Sequence, residues 1–179
     1  MKKLILSTAL LNCAVLGSFF ANQASAQVSF GNDSPIHVKA ERATYLGAKT
    51  TLNGNVRVKQ KDATILADQM DLHRSETAAT EVEESPIKLG NINRIVAVGN
   101  FIYITPENRV TGDKGVYERD KEIITVTGNA RFVQNNGNIV TGNKMIYDLN
   151  TNRAKIDGNC SGRDCKSNDR VKINIGGKE

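Results

Sequence analysis

The dipeptide Gly-Asn recurs in this chain within or directly after runs of alternating apolar and polar residues. The pairs begin at Gly54, Gly99, Gly128 and Gly158, and the last three are spaced by 29 and 30 residues. Gly and Asn tolerate the positive φ angles that other residues avoid, so they usually interrupt or end strands. The regular spacing of the interruption indicates an internal repeat built from strands.

The alternation keeps its phase on both sides of the first three Gly-Asn pairs. Counted from each Gly, positions −4, −2, +2 and +4 hold Thr50, Leu52, Val56 and Val58, then Ile95, Ala97, Phe101 and Tyr103, then Ile124, Val126, Ala130 and Phe132. A tight hairpin would instead separate two independently phased runs. We therefore predict that Gly-Asn bends one long strand at a corner and leaves one face inward throughout.

A second break follows each corner after 13 or 14 residues, at Ala67-Asp68, Gly112-Asp113 and Gly142-Asn143. The apolar phase changes there, and one extra residue in these strands, as in a bulge, would restore the inward face. Polar turns are predicted at KQKDA, TPEN, ERDKE, QNNGN and LNTNR. The sequence therefore predicts an all-β meander whose strands bend at two lines, with apolar side chains between two sheets.

The first residues are predicted to be an export signal rather than part of the fold. Lys2 and Lys3 precede an apolar run that ends at Phe20, and Ala24-Ser25-Ala26 has the small-x-small pattern of a cleavage site. A membrane anchor is the alternative for this segment. The predicted organisation is a signal peptide at 1–26, a β domain at 27–160 and a polar tail at 161–179.

Charge and cysteine content exclude several function classes. Removal of Lys2 and Lys3 with the signal leaves a net charge of +5 − 2 = +3, without the clustered basic residues of a nucleic-acid surface. In an oxidising compartment we predict a local disulfide between Cys160 and Cys165. A metal site is the alternative, but the only histidines, His37 and His73, form no ligand-spaced cluster. No catalytic residue, metal or cofactor is predicted.

Five segments carry, in order, a family resemblance: PIHVKAERATY, TLNGNVRVKQKDATILADQMDLH, INRIVAVGNFIY, VTGDKGVYE and ITVTGNARFVQNNGNIVTGNKMIYDLNTNRAKIDG. They are similar to the successive repeats of the LptA/OstA-like family of lipopolysaccharide-transport proteins, over about residues 34 to 158. Two features depart from the family pattern, namely the long insertion from Ser75 to Asn93 and the tail that contains Cys160 and Cys165.

The resemblance implies a V-shaped antiparallel β-jelly roll in the periplasm, with lipopolysaccharide acyl chains held between the two sheets. It also implies a head-to-tail homo-oligomer, with the first strand, roughly Ile36 to Ala40, as one interface. Further partners would be the inner-membrane and outer-membrane transport components of the same fold. Such a protein would be a passive conduit and not an enzyme.

The expected lipid-binding residues are the apolar side chains on the inward face. They are Ile36, Val38, Leu52, Val56, Val58, Ile65, Phe101, Tyr103, Ile124, Val126, Phe132 and Val140. Burial contributes about 0.8 kcal/mol per CH₂ group, so a lipid with several acyl chains needs such a groove to cross water. The sequence leaves open whether the outward residues Lys39, Arg42, Arg57 and Arg131 contact lipid phosphates or are only solvated.

Two other classes of exported protein compete with this interpretation. A structural or adhesive β-solenoid also has repeats of about thirty residues with Asn/Gly corners, but its coils are parallel and it has no lipid groove. A carbohydrate-active enzyme on a β-helix is disfavoured because the chain shows no convergent pair of acids.

Overall fold

A computed structural model of the chain describes residues 34–75, 92–160, 162–166 and 169–176. The predicted signal peptide at 1–26 and most of the insertion between Ser75 and Asn93 lie outside the described residues. The strands are β1 (Ile36–Lys39), β2 (Arg42–Leu46), β3 (Lys49–Gln60), β4 (Ala63–Arg74), β5 (Ile92–Ile104), β6 (Asn108–Glu118), β7 (Ile123–Gln134), β8 (Ile139–Asp148), β9 (Arg153–Asp157) and β10 (Lys172–Asn174). A 3₁₀ turn, Arg119–Lys121, joins β6 to β7.

All ten strands belong to one antiparallel sheet in which β3 to β8 follow one another as a meander. At one end β1 and β2 share the edge of β3, and at the other end β9 and β10 share the edge of β8. The polar turns lie where the sequence predicted them, and the all-β prediction is confirmed within the described residues. The antiparallel registers contradict the β-solenoid alternative, whose coils would be parallel.

The strands bend at the Gly-Asn pairs because two successive residues there adopt left-handed conformations. The φ angles are 80° and 43° at Gly54-Asn55, 78° and 47° at Gly99-Asn100, and 73° and 50° at Gly128-Asn129. Gly adopts this conformation without a steric penalty and Asn adopts it more easily than most residues. The predicted corners are therefore present in β3, β5 and β7.

The extra residue at each corner lies in the Gly-Asn strand. Asn53 pairs with Gln69 and Val56 with Ala67, so β3 advances three residues across the corner while β4 advances two. The prediction of an extra residue at the second breaks, in β4, β6 and β8, is wrong. In those three strands the inward phase does change, but each crosses the corner with one residue fewer than the Gly-Asn strand beside it. The Gly-Asn strand accommodates the additional residue because Gly and Asn adopt left-handed conformations there.

Each corner also brings a carboxylate from another strand or turn over the glycine. A Cβ atom on Gly54, Gly99 or Gly128 would lie 2.3, 2.4 or 2.1 Å from a carboxylate oxygen of Glu41, Asp68 or Asp113. The Asn that follows donates its side-chain amide to the same carboxylate, at 2.7 Å for Asn55, 2.9 Å for Asn100 and 3.1 Å for Asn129. Glycine is thus required twice at these corners, for its φ angle and for the close approach.

The corners divide the sheet into two facing halves. The first half-sheet contains β2, β9 and residues 49–53, 69–74, 92–98, 114–118, 123–127 and 144–148. The second half-sheet contains β1, β10 and residues 56–60, 63–67, 101–104, 108–112, 130–134 and 139–142. One hydrophobic cluster, drawn from both halves, fills the space between them.

In the strands that carry the second break, the position on the inner side of the corner accepts only a small residue. A Cβ atom on Gly112 would lie 2.3 Å from Cγ1 of Val126, and one on Gly142 would lie 2.5 Å from Cγ2 of Ile156. The second break therefore lets the two half-sheets fold closely onto the same interior.

The segment after residue 160, predicted to be a polar tail, contributes the strand β10. A disulfide joins Cys160 to Cys165 with an S–S distance of 2.07 Å and a Cα–Cα distance of 5.8 Å. Arg170 donates from Nε to the carbonyl of Cys165 (3.1 Å) and from Nη2 to the carbonyl of Arg163 (2.9 Å). Lys172 then pairs with Thr141 as β10 joins β8.

Candidate functional site

Most of the predicted lipid-binding residues lie in the hydrophobic cluster between the half-sheets. The fully buried ones, each between 0% and 7% exposed, are Leu52, Val56, Val58, Ile65, Phe101, Tyr103, Ile124, Val126 and Phe132. Ile36 and Val38 are half-buried and pack against the cluster from β1. The structure thus brings these side chains together from strands that are far apart in sequence.

Val140 lies on the inward face but at its margin. It pairs with Phe132 on β7 and with Ile173 on β10. Ile173 is 63% exposed, and Val140 is half-buried. Val140 therefore lies at the rim of the interior, near the C-terminal edge of the sheet.

The interior also contains residues that were absent from the predicted site. Met70, Leu72, Ile95, Tyr117, Met145 and Tyr147 all belong to the same cluster and are at most 3% exposed. The signal for five of them was the phase change at the second break, which turns the residues three and five positions beyond each break inward. These five are Met70, Leu72, Tyr117, Met145 and Tyr147. Both half-sheets therefore contribute side chains to the interior.

Side chains close the margin opposite the corners, which we call the mouth. The ring of Tyr147, from the first half-sheet, lies 6.3 Å from the ring of Tyr103 and 5.8 Å from that of Phe132, both from the second. The Tyr147 hydroxyl accepts a hydrogen bond from Nδ2 of Asn108 (3.2 Å) and donates one to Oδ1 of Asn152 (2.5 Å). These contacts hold the half-sheets together where no strand connects them.

Burial keeps the tyrosine hydroxyls of the interior uncharged. Desolvation, followed by the nearby Tyr147 and Tyr117, raises the pKa of Tyr103 far above its usual value. Desolvation also raises the pKa of Tyr147, although the hydrogen bond from Asn108 acts in the opposite direction. Both residues therefore act as neutral aromatic surface at any physiological pH.

Within the described residues the site offers little besides apolar surface. No group of three or more His, Cys, Asp or Glu side chains in the described part of the chain is placed to hold a metal ion. The buried residues there are apolar apart from Thr50 and Gln60, together with the tyrosine hydroxyls. No helix among the same residues is long and apolar enough to cross a membrane. The interior formed by the described residues is therefore almost wholly apolar.

The basic residues left open by the sequence lie outside the interior. Lys39, Arg42 and Arg57 are exposed, and Arg131 is half-buried. Each belongs to a strand position that alternates with an inward residue, so all four project from the outer face of the sheet.

Comparisons with known proteins agree with this architecture. The sequence from residue 30 to residue 153 matches the family described as LptA/(LptD N-terminal domain) LPS transport protein. A sequence search of curated proteins gives no match. Among solved structures the chain is similar to LptH, described as the LptA homologous periplasmic component of the conserved lipopolysaccharide transport device from Pseudomonas aeruginosa. The TM-score is 0.62 at 20% identity, over 79% of this chain and 95% of that chain.

The structural similarity confirms the V-shaped β-jelly roll that the sequence resemblance implied. The family is one of transport proteins, which confirms the prediction that the chain is not an enzyme. Since the family match extends over more than half of the sequence, this chain belongs to the LptA/LptD N-terminal domain family of lipopolysaccharide-transport proteins.

Proposed function

We propose that this protein binds lipopolysaccharide in the periplasm and forms part of a bridge that carries it from the inner to the outer membrane. The observation that supports this function best is the single apolar cluster between the half-sheets, to which every strand from β3 to β8 contributes. Acyl chains would lie in that space, while the sugars and phosphates would remain in water. The predicted export signal and the periplasmic relative LptH support the location.

Lipid uptake requires the half-sheets to separate. The inner side chains already pack on one another, with exposures of 0% to 7% for the predicted binding residues. An acyl chain that enters exchanges contacts between apolar side chains for contacts between side chain and hydrocarbon, so the exchange is close to neutral in free energy. Removal of each CH₂ from water contributes about 0.8 kcal/mol. Passage between equivalent interiors is also nearly neutral, and direction must come from an energised pump elsewhere.

The mouth is the margin at which we expect the half-sheets to part. The corners are continuous strands, and separating the halves there would break the backbone hydrogen bonds of the sheet. The mouth is held by side chains, chiefly the hydrogen bond from Asn108 to Tyr147 and the aromatic contacts of Tyr147. Breaking one such hydrogen bond costs about 1 kcal/mol, which is small beside the gain from burying an acyl chain.

The two ends of the sheet suit end-to-end assembly. The last strands in the sheet order are β1 and β2 at one end and β9 and β10 at the other. Each of these strands has an outer edge that pairs with no other strand of the described chain. A strand edge presents backbone N–H and C=O groups, which pair readily with a strand of another molecule. The partners would be further copies of this chain and the inner-membrane and outer-membrane components of the same fold.

Mass spectrometry of the natively purified protein tests the lipid assignment, because a conduit should retain glycolipid of the envelope. A photo-activated cross-linking residue at Phe132 should capture that glycolipid, since Phe132 faces the interior. The same residue at Thr111, on the outer face of β6, is the matched control and should capture none. Equal capture at both positions, or none at Phe132 in a well-folded protein that is saturated with glycolipid, would refute the assignment.

A further inference from the structure

A polar pocket of about 250 Å³ lies on the outer face beside the last corner of the sheet. The Gly-Asn corner of β7, the second break of β8 and the segment after β9 surround it. Its charged lining residues are Arg131, Arg170 and Lys172 against the single carboxylate of Asp169, a formal charge of +3 − 1 = +2. Its cations are separate from the apolar interior, because Arg131, Thr141 and Lys172 share the opposite face of the sheet, although Ala130 of the interior cluster also borders the pocket.

The three cations are held by elements of the fold. Arg131 of β7 and Lys172 of β10 both pair with Thr141 of β8, so they lie on one face, two strand spacings or roughly 10 Å apart. Arg170 is fixed by its hydrogen bonds to the carbonyls of Cys165 and Arg163, two residues of the loop that the Cys160–Cys165 disulfide closes. These bonds use two of the five N–H donors of a guanidinium group, and three remain for a ligand.

The internal repeat shows which group is missing beside Gly158-Asn159. Asn143 precedes Gly158 by 15 residues, as Asp113 precedes Gly128, and the pairs Lys114–Thr127 and Lys144–Asp157 confirm that the positions are equivalent. Asn143 therefore stands where the repeats that end in corners at Gly99 and Gly128 have Asp68 and Asp113, although Gly158-Asn159 does not itself adopt the left-handed conformation of a corner.

A neutral oxygen takes the place of the missing carboxylate. The backbone carbonyl of Asp169 lies 2.2 Å from where a Cβ atom of Gly158 would be, and it accepts a hydrogen bond from the backbone N–H of Asn159 (2.8 Å). Among the described residues, the surroundings of Gly158-Asn159 thus hold amides and more cations than anions, and no side-chain carboxylate covers Gly158 as one covers the glycine of each corner.

We propose that this pocket binds a phosphate group. Guanidinium and ammonium groups are the preferred partners of phosphate oxygens, and they form charge-assisted hydrogen bonds that are stronger than neutral ones. Asn143 and Asn159 line the same pocket, and their side-chain amides supply further donors. The phosphate is either that of a glycolipid headgroup or a free phosphate ion, and the proposal concerns the chemistry that both share.

Titration of the ¹⁵N-labelled exported chain with inorganic phosphate, at constant ionic strength and against chloride, tests the site. The backbone amide signals of Asn129, Thr141, Asn143 and Asn159 should shift together. Arg131→Gln should weaken phosphate binding by about tenfold or more. Arg57→Gln, the same change at an exposed strand position outside the pocket, should leave the affinity unchanged. Lys172→Gln provides a second pocket variant, and the remaining amide signals report whether each variant is folded.

Shifts scattered over the surface, or equal losses of affinity in Arg131→Gln and Arg57→Gln, would overturn the proposal. Absence of any shift in the four amides would do the same.

Binding of a phosphorylated glycolipid and of its dephosphorylated form then identifies the source of the phosphate. If Arg131→Gln weakens only the phosphorylated form, the site takes the headgroup; if it weakens neither but still impairs inorganic phosphate binding, the site takes the free ion. Both outcomes support the site. Loss of glycolipid capture with intact phosphate shifts would reject only the proposed lipid transport, whereas lipid capture without phosphate shifts would reject only the pocket.

Discussion

Nδ2 of Asn108 donates a hydrogen bond to the hydroxyl of Tyr147 at 3.2 Å, across 39 residues of sequence. Asn108 begins β6 in the second half-sheet, and Tyr147 lies near the end of β8 in the first. The bond therefore spans the mouth and joins two half-sheets that are otherwise continuous only at the corners. If lipid enters at the mouth, this bond must open first.

Tyr147→Phe should weaken closure of the mouth, because the change removes the shared hydroxyl and keeps the ring that contacts Tyr103 and Phe132. We expect a loss of about 1–2 kcal/mol in the free energy of unfolding and faster uptake of a fluorescent acyl lipid. Stopped-flow fluorescence measures the uptake. Tyr117→Phe is the matched control, since the Tyr117 hydroxyl contacts Glu122 within one half-sheet. Equal acceleration in both variants would contradict the assignment of the mouth.

Gly128→Ala should destabilise the protein by about 2 kcal/mol or more, because the new Cβ meets both a φ of +73° and the carboxylate of Asp113. Gly47→Ala has a similar φ of +56° with open space around it, so it isolates the backbone contribution. Urea unfolding of Gly128→Ala alone and together with Asp113→Ala measures the coupling. We expect the substitution at Gly128 to be less harmful once the carboxylate is removed, by about 1 kcal/mol. Identical effects in both backgrounds would show that the close approach is unimportant.

Asp71 should contribute to stability at neutral pH and lose this contribution in acid. Desolvation acts to raise its pKa, but the ammonium of Lys49 at 2.9 Å and the hydroxyl of Thr51 at 2.8 Å outweigh it, and the net pKa is lowered from 3.8. A lowered pKa means that the folded state favours the ionised carboxylate, so its contribution is present above pH 3.8 and is lost as the pH falls through the folded-state pKa.

Asp71→Asn should therefore destabilise the protein by at most about 1 kcal/mol at neutral pH and by less in acid, because the pair is partly solvated. Thermal unfolding between pH 2.5 and 7 measures the difference between the two proteins. Asp62→Asn, in the exposed turn between β3 and β4, is the control. A difference that stays constant below pH 3.8 would contradict the assigned ion pair.

Proline at the first strand should separate folding from assembly. Successive backbone N–H groups of a strand point to opposite edges, and proline has no N–H group. One of the two substitutions His37→Pro and Val38→Pro therefore removes a hydrogen-bond donor to β3, and the other removes a donor from the outer edge of β1. We expect one variant to lower the melting temperature and the other to shift the light-scattering mass from oligomer to monomer. If neither changes the mass of an oligomer that the unmodified protein forms, β1 is not the interface.

The alternating residues and the spaced Gly-Asn pairs were enough to predict the bent strands and their inward face. Side-chain parity is a local property with a period of two residues, and Gly-Asn forms the left-handed corner at Gly54, Gly99 and Gly128. Leu52, Val56, Ile124 and Val126 are buried for this reason. Gly158-Asn159, the fourth pair of the repeat, does not adopt the left-handed conformation. The same local rule did not show which of two paired strands holds the extra residue, because that depends on the register between them.

The amino-acid sequence by itself determined an all-β chain with one apolar face on both sides of each corner. Only the tertiary structure decided that Asn108 meets Tyr147, that β10 returns to β8, and that Arg131, Arg170 and Lys172 surround one pocket. These relationships join residues that are distant in the chain, and a periodic pattern carries no information about such contacts. They follow from the folding of the sheet onto itself, which fixes the positions of all its strands at once.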